Sequence, residues 1–331
     1  MITVVDRDTL RRAVAGAIRA PSVYNSQPWR WRASSGDGVD LYADPNRHLI
    51  TTDPQGRDLL LSCGAALHHL TVAFAELGWL SQITRLDDPN NLHHLAHIQL
   101  HTGADPNSAR LGPAIHRRHT DRRRFSPDPV PTTLLDTLIE QAAPHGAHLR
   151  VVESSTARAH LIAIITESAS LQQQQLGYAA EVAQWTSRHA QSGDGIQSES
   201  TVAPGVGLPG EIPMRPSPRP LLDQPPHSFQ HQDASVLMVL STASDERLAV
   251  LRAGEAMSAI LLTATHHGLA TTPLSQPLEI AQTRTAISAH ILGVERYAQL
   301  ILRIGWPHPD SPELPPSPRR RLDYVLELAH R

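Results

Sequence analysis

Arg19-Ala-Pro-Ser-Val-Tyr-Asn-Ser-Gln-Pro-Trp-Arg30 crowds amide, hydroxyl and guanidinium groups around two prolines. Upstream of it, apolar Val14, Ala17 and Ile18 stand opposite Arg11 and Arg12, the spacing of an amphipathic helix. Pro21 should end that helix, because the residue before a proline is driven out of the α region. Beyond the stop, Ser22, Asn25 and Gln27 offer donors and acceptors on a backbone expected to be extended before Pro28. Such a loop suits the edge of a planar polar heterocycle.

The 331 residues can bury a large core, as two domains or one pseudo-symmetric unit. Lys plus Arg number 29 against 32 Asp plus Glu, a net charge of −3 that argues against nucleic acid as the main partner. A single cysteine, Cys63, excludes an intrachain disulfide, and its apolar surroundings read as a buried inert thiol. The N-terminus lacks a basic segment followed by an apolar one, and no uninterrupted apolar run approaches ~18 residues. A cytoplasmic protein with no membrane span is expected. The twenty histidines are scattered, with no HExxH or other tight ligand set, so no metal is expected.

Two stretches share a helical pattern. Residues 57–79 (RDLLLSCGAALHHLTVAFAELGW) and 247–269 (RLAVLRAGEAMSAILLTATHHGL) align when Gly64 is set against Gly254. The same offset pairs Arg57 with Arg247, Leu61 with Leu251, Ala66 with Ala256 and Gly78 with Gly268. Both are apolar around most of their circumference, as in helices buried on several sides, and both end in glycine. Strand-like runs flank each copy: Trp29–Arg32 and Val39–Tyr42 before the first, Leu149–Val152 before the second. Alternating runs at His94–Leu100, Val236–Leu240 and Tyr297–Ile304 complete a sheet packed on helices. Helices and strands do not alternate strictly, so the fold class is α+β, read as two fused unequal halves, residues 1–112 and 113–331.

Only the second half opens with a basic turn. Residues 117–125 (RRHTDRRRF) hold Arg117, Arg118, Arg122, Arg123 and Arg124, which with Thr120 form an anion-binding candidate or else a solvated turn in which Asp121 pairs an arginine. A second cluster, Ser317-Pro-Arg-Arg-Arg321, precedes Leu322–Leu328, which reads as a last helix. Residues 191–232 hold eight of the 27 prolines and five glycines, a long loop that reads as a cover or as disorder.

The quoted stretch resembles the APSxxNxQPW signature of the nitroreductase family, flavoproteins that hold FMN between two subunits. The basic turn resembles that family's Arg-x-Ser-x-Arg-x-aromatic opening, with Arg118, Thr120 and Arg122 matching and Phe125 one residue late. Gly305-Trp306-Pro307 followed by Ser317, Arg319 and Arg320 resembles its C-terminal end, and Gly268–Leu274 a turn that passes near the flavin. In its fused halves and its cover the chain is similar to the Acg-type branch. The resemblance implies one FMN per chain, where the two halves meet. It places Ser22, Asn25, Gln27, Pro28, Trp29, Arg30 and Trp31 near the ring. Arg117, Arg118, Thr120 and Arg122 with Ser317, Arg319 and Arg320 would take the phosphate.

The implied activity is hydride transfer from NAD(P)H through FMN to nitro compounds or quinones. The redox chemistry then belongs to the flavin, so no catalytic side chain is expected. Two alternatives remain open: a protein that sequesters FMN beneath a lid, and one that has lost flavin and serves as an interaction module. A family dimer would already be mimicked inside one chain, so a monomer is expected.

Overall fold

The structure, a computed structural model, describes residues 5–33, 38–186, 192–203, 211–293 and 295–328. Residue 191 and residues 204–210 of the expected cover lie outside them.

Helix α1 (Arg7–Ala17) starts where Asp6 accepts a hydrogen bond from the Thr9 amide at 2.8 Å, and it buries Leu10, Ala13, Val14 and Ala17. Strands β1 (Trp29–Ala33) and β2 (Gly38–Ala43) follow, then the long helix α2 (Arg57–Glu76), β3 (Trp79–Arg85) and β4 (His94–Thr102). Short helices α3 (Pro106–Ala109) and α4 (Gly112–Arg117) lead to α5 (Thr132–Glu140) and β5 (Ala147–Val151). Helices α6 (Ser155–Gln173) and α7 (Tyr178–Thr186) precede the proline-rich segment and β6 (Val236–Thr242). The second long helix α8 (Arg247–His266), β7 (Ala270–Leu274), α9 (Ala281–Ile287) and β8 (Tyr297–Gly305) follow.

The strand-like runs build two sheets rather than one. Their orders are β3-β4-β2-β1 and β7-β8-β6-β5, which correspond strand for strand. Helices α2 and α8 cross between them. Each is long and apolar enough by composition to span a membrane, yet they lie 83% and 78% buried inside the protein. Leu61, Leu67 and Leu70 of α2 meet Leu251, Ile260 and Leu261 of α8 in one core. Gly78 and Gly268 end the two helices with the same φ of +81°, the left-handed stop glycine favours.

The C-terminal segment differs from the expected helix. Leu322–Tyr324 is a single 3₁₀ turn, after which β9 (Leu326–Glu327) runs parallel to β1. The edge of β1 exposes donors that a helix could not satisfy, and the Trp31 amide donates to the Val325 carbonyl at 2.6 Å. Val325 and Leu326 are buried there. Strand β9 thus adds a fifth strand to the sheet of β1.

Candidate functional site

The loop after α1 is wound rather than extended: Tyr24 and Asn25 have φ of 52° and Gln27 of 50°. Three left-handed residues close together are costly for side-chain-bearing positions. The Ser22 hydroxyl offsets part of that by accepting from the Gln27 amide at 3.0 Å. Tyr24 is held by Arg215, whose guanidinium carbon lies 4.7 Å from the ring centroid and which donates to the phenol oxygen. Burial pushes the Tyr24 hydroxyl above the ordinary phenol range, with Arg215 opposing, so it stays neutral.

Much of this loop's hydrogen-bonding capacity is spent on the protein itself. Asn25 donates to the carbonyls of Gly195 at 3.1 Å and Pro318 at 3.0 Å, and its oxygen accepts from Arg319 at 3.2 Å. Gln27, fully buried, donates to the Gly193 carbonyl at 2.7 Å and accepts from the Arg320 amide at 3.0 Å. The loop therefore ties the proline-rich segment and the C-terminal tail together. Gly193 fits between them because its φ is +73° and a Cβ there would come within 2.7 Å of the Arg319 carbonyl oxygen.

The basic turn divides by direction. Arg117 is exposed on α4. Arg123 pairs with Asp121 through two bonds of 2.9 and 2.8 Å, and Arg124 donates to the carbonyls of Ser228 and His231. Arg303 stacks on Phe125 at 3.7 Å. The Asp121 amide donates to the Thr271 carbonyl at 3.0 Å, so β7 holds the turn in place. Arg118 and Arg122 are left to face a cleft.

That cleft has two compartments. The polar one is lined by Ser22, Asn25, Arg118, Thr120, Arg122, Ser317 and Arg319. Arg118 and Arg319 have no carboxylate partner among the described residues. Arg118 Nε and Nη1, Arg319 Nε and the neighbouring Arg19 Nε are buried donors with no hydrogen-bond partner. Burial, with Arg19 adding repulsion, holds Arg118 down to about 10. Burial and its two arginine neighbours hold Arg319 at about 9. Two unneutralised guanidiniums in low dielectric, Arg118 and Arg319, strongly favour an anion between them.

The second compartment is apolar and shares Pro21, Ser22, Tyr24, Thr120, Arg122 and Ile196 with the first. It has about 990 Å³ of empty space, its mouth included. Leu61 of α2, Met257 of α8, Leu274 of β7 and Leu300 of β8 line it, and Ile196, Pro213, Met214 and Pro216 of the proline-rich segment cover it. Arg215 fastens that cover by donating to Glu279 as well as Tyr24. Thr272, Pro273 and Leu274 of the Gly268–Leu274 stretch also lie along this compartment.

Seven expected site residues line neither compartment: Gln27 and Arg117, placed above, and five more. Trp29 and Trp31 alternate inward on β1 and are buried in the core. Arg30 alternates outward, 3.2 Å from Asp44. The Pro28 carbonyl accepts from the Asp44 amide at 3.0 Å and from the Cys63 thiol at 3.2 Å. Arg320 donates to the Gln27 and Trp29 carbonyls and lies 3.7 Å from Asp44, clamping the tail rather than facing the cleft. Conversely, Arg19, Tyr24, Arg215 and Glu279 were not singled out. Arg19 and Tyr24 lie within the quoted stretch, where adjacency to Ser22 and Asn25 was the available signal.

A family model, the Nitroreductase family, matches residues 115–306. The Mycobacterium tuberculosis protein named "Putative NAD(P)H nitroreductase Rv3131" is 40% identical over 324 residues, 97% of this chain and 92% of that protein. The chain belongs to the nitroreductase family. Another relative in the same organism, "Putative NAD(P)H nitroreductase acg", is 36% identical over 98% of this chain and 97% of its own length. Among solved structures, the FMN-dependent nitroreductase NfnB from Mycobacterium smegmatis, in complex with NADPH, is 14% identical. It covers 67% of this chain and 98% of its own, at a TM-score of 0.42. In this nitroreductase-family chain both long helices supply walls to the cleft, Leu61 and Ser62 from α2 and Met257 from α8.

Proposed function

We propose that the chain is an FMN-dependent oxidoreductase that takes hydride from NAD(P)H and delivers it to nitro compounds or quinones. The relatives' names support the reaction class, and one observation carries the site: buried arginines with unpartnered donors open directly onto an apolar compartment. Arg118, Arg319 and Arg19 would grip the flavin phosphate, with Thr120 and Ser317 adding hydroxyl donors. Arg122, at the junction, would lie between phosphate and ring. When bound, FMN supplies reversible two-electron chemistry. The chain's own part is to hold the group, to keep Tyr24 protonated beside it, and to exclude water with Ile196, Pro213 and Met214.

The same reading makes the chain a fused duplicate with its halves at 1–112 and 113–331, one flavin site and a monomeric working state. The matching strand orders support it, as does the 190-residue spacing between His68 and Ser258, which hydrogen-bond to each other at 2.7 Å.

A second reading, storage of FMN without turnover, is favoured by the latched cover, since Arg215 bridges Tyr24 and Glu279 over the compartment where a nicotinamide would stack. Anaerobic mixing of the flavin-loaded protein with NADPH or NADH separates the two. Bleaching of the flavin absorbance within a turnover time supports the oxidoreductase; persistent colour supports storage.

A further inference from the structure

A third, small cleft, with about 410 Å³ of empty space once the open solvent at its mouth is included, lies against the apolar compartment and shares Arg122 and Met214 with it. Arg122, Arg123, Arg124, Arg158 and Arg303 line it, against the carboxylates Glu211 and Asp233. Three of these arginines are committed. Arg123 is bound to Asp121, Arg124 to the carbonyls of Ser228 and His231, and Arg303 to Asp233 and to the Ser235 hydroxyl at 3.1 Å. The other two keep most of their donors. Among the described residues, Arg122 donates once, to the Ser200 carbonyl at 2.8 Å, and Arg158 once, to the Ser235 carbonyl at 3.0 Å.

Counting Asp121, five guanidiniums face three carboxylates, so the cavity wall carries a positive excess. Burial holds Arg122 down to about 10, with Arg215 adding to the effect and Asp121 opposing it. Burial also lowers Arg158, against the pull of Asp233. A dianionic phosphate monoester matches two partly free guanidinium forks better than a single carboxylate does. Because Arg122 and Met214 belong to both spaces, the two adjoin beneath the cover.

We propose that this cavity binds a phosphate monoester, the 2′-phosphate of the reduced nicotinamide dinucleotide, so that the protein selects NADPH over NADH. The inference rests on the oxidoreductase reading and shares Arg122 and Met214 with the flavin site, but its test turns on Arg158, which lines only this cavity. Calorimetric titration of the full chain, with and without FMN, tests it. The probes are adenosine 2′,5′-bisphosphate, adenosine 5′-monophosphate and inorganic phosphate.

The bisphosphate should bind at least about tenfold tighter than the monophosphate, the lower bound for a hydrogen bond to a charged group. Arg158→Gln should erase that preference and leave FMN affinity unchanged, while Arg158→Lys should restore part of it. Equal affinity for the two nucleotides, or a preference that survives Arg158→Gln, overturns the proposal. Inorganic phosphate binding as tightly as the bisphosphate overturns the dinucleotide assignment. If FMN fails to bind while the preference persists, the flavin reading falls and with it the hydride-donor role, and only the phosphate-monoester site stands.

Discussion

Gly64 of α2 and Gly254 of α8 touch backbone to backbone where the two long helices cross. A Cβ on Gly64 would lie 2.0 Å from the Leu251 carbonyl oxygen, and one on Gly254 would lie 2.1 Å from that of Leu61. The contact is reciprocal: each glycine meets the residue three positions before the other, the self-complementary pattern of a twofold interface. Because residues 61 and 62 of one helix and 257 of the other line the apolar compartment, this crossing sets the width of the site.

Gly64→Ala should therefore force the helices apart. The expected cost is about 3 kcal/mol in urea unfolding, the upper range for overpacking a tight core, and Gly254→Ala should cost about the same. The double variant should cost less than the sum, since both changes strain one contact. Changes within about 0.5 kcal/mol for either single variant would remove the crossing from the account.

Arg118→Met is expected to move two quantities in opposite directions. FMN affinity should fall by roughly 1.5–3 kcal/mol, the range for hydrogen bonds to a charged group. Flavin-free protein should become more heat-stable, because a buried guanidinium without a carboxylate is replaced by an apolar chain of similar length. A parallel loss of both would mean that Arg118 is a structural cation.

Asp233 gives a pH-dependent outcome. Burial works to raise its pKa, but Arg303 and hydrogen bonds from Ser235 and Phe125 carry it down to about 2 from an ordinary 3.8. Since the folded value is the lower one, its contribution is full above pH about 4 and fades as pH falls toward 2. Asp233→Asn should cost about 2 kcal/mol at pH 7, and the two stability curves should converge in acid. A difference that stays constant down to pH 2 would contradict this.

Gln27→Ala should free the tail and the cover together, because one side chain holds Gly193 and Arg320. Tryptic cleavage at Arg319–Arg321 should accelerate, while global stability falls by only about 1–2 kcal/mol. Cleavage at the wild-type rate would show that the tail is held elsewhere.

Local signals carried much of the fold. The glycine-terminated pattern of 57–79 and 247–269 located both core helices, since buried helices announce themselves by composition. The loop after α1 was legible as a special segment, yet sequence reports what Asn25 and Gln27 can bond to, not where they point. Alternation separates Trp29 and Trp31 from Arg30, and it equally separates Arg319, which faces the cleft, from Arg320, which faces the sheet. The final strand was hidden because two residues carry too little periodicity, and its pairing depends on an edge some 300 positions earlier. Arg215 and Glu279 are joined only through the folded cover, so nothing in their neighbourhoods singled them out.

The proposed function turns on a single flavin phosphate held by Arg118 and Arg319. Fluorescence titration of flavin-free protein with FMN tests it most directly, with Arg118→Ala and Arg319→Ala measured alongside. The account predicts one FMN per chain and weakened binding in both variants. Binding of two equivalents, no binding at all, or undiminished affinity in both variants would contradict it.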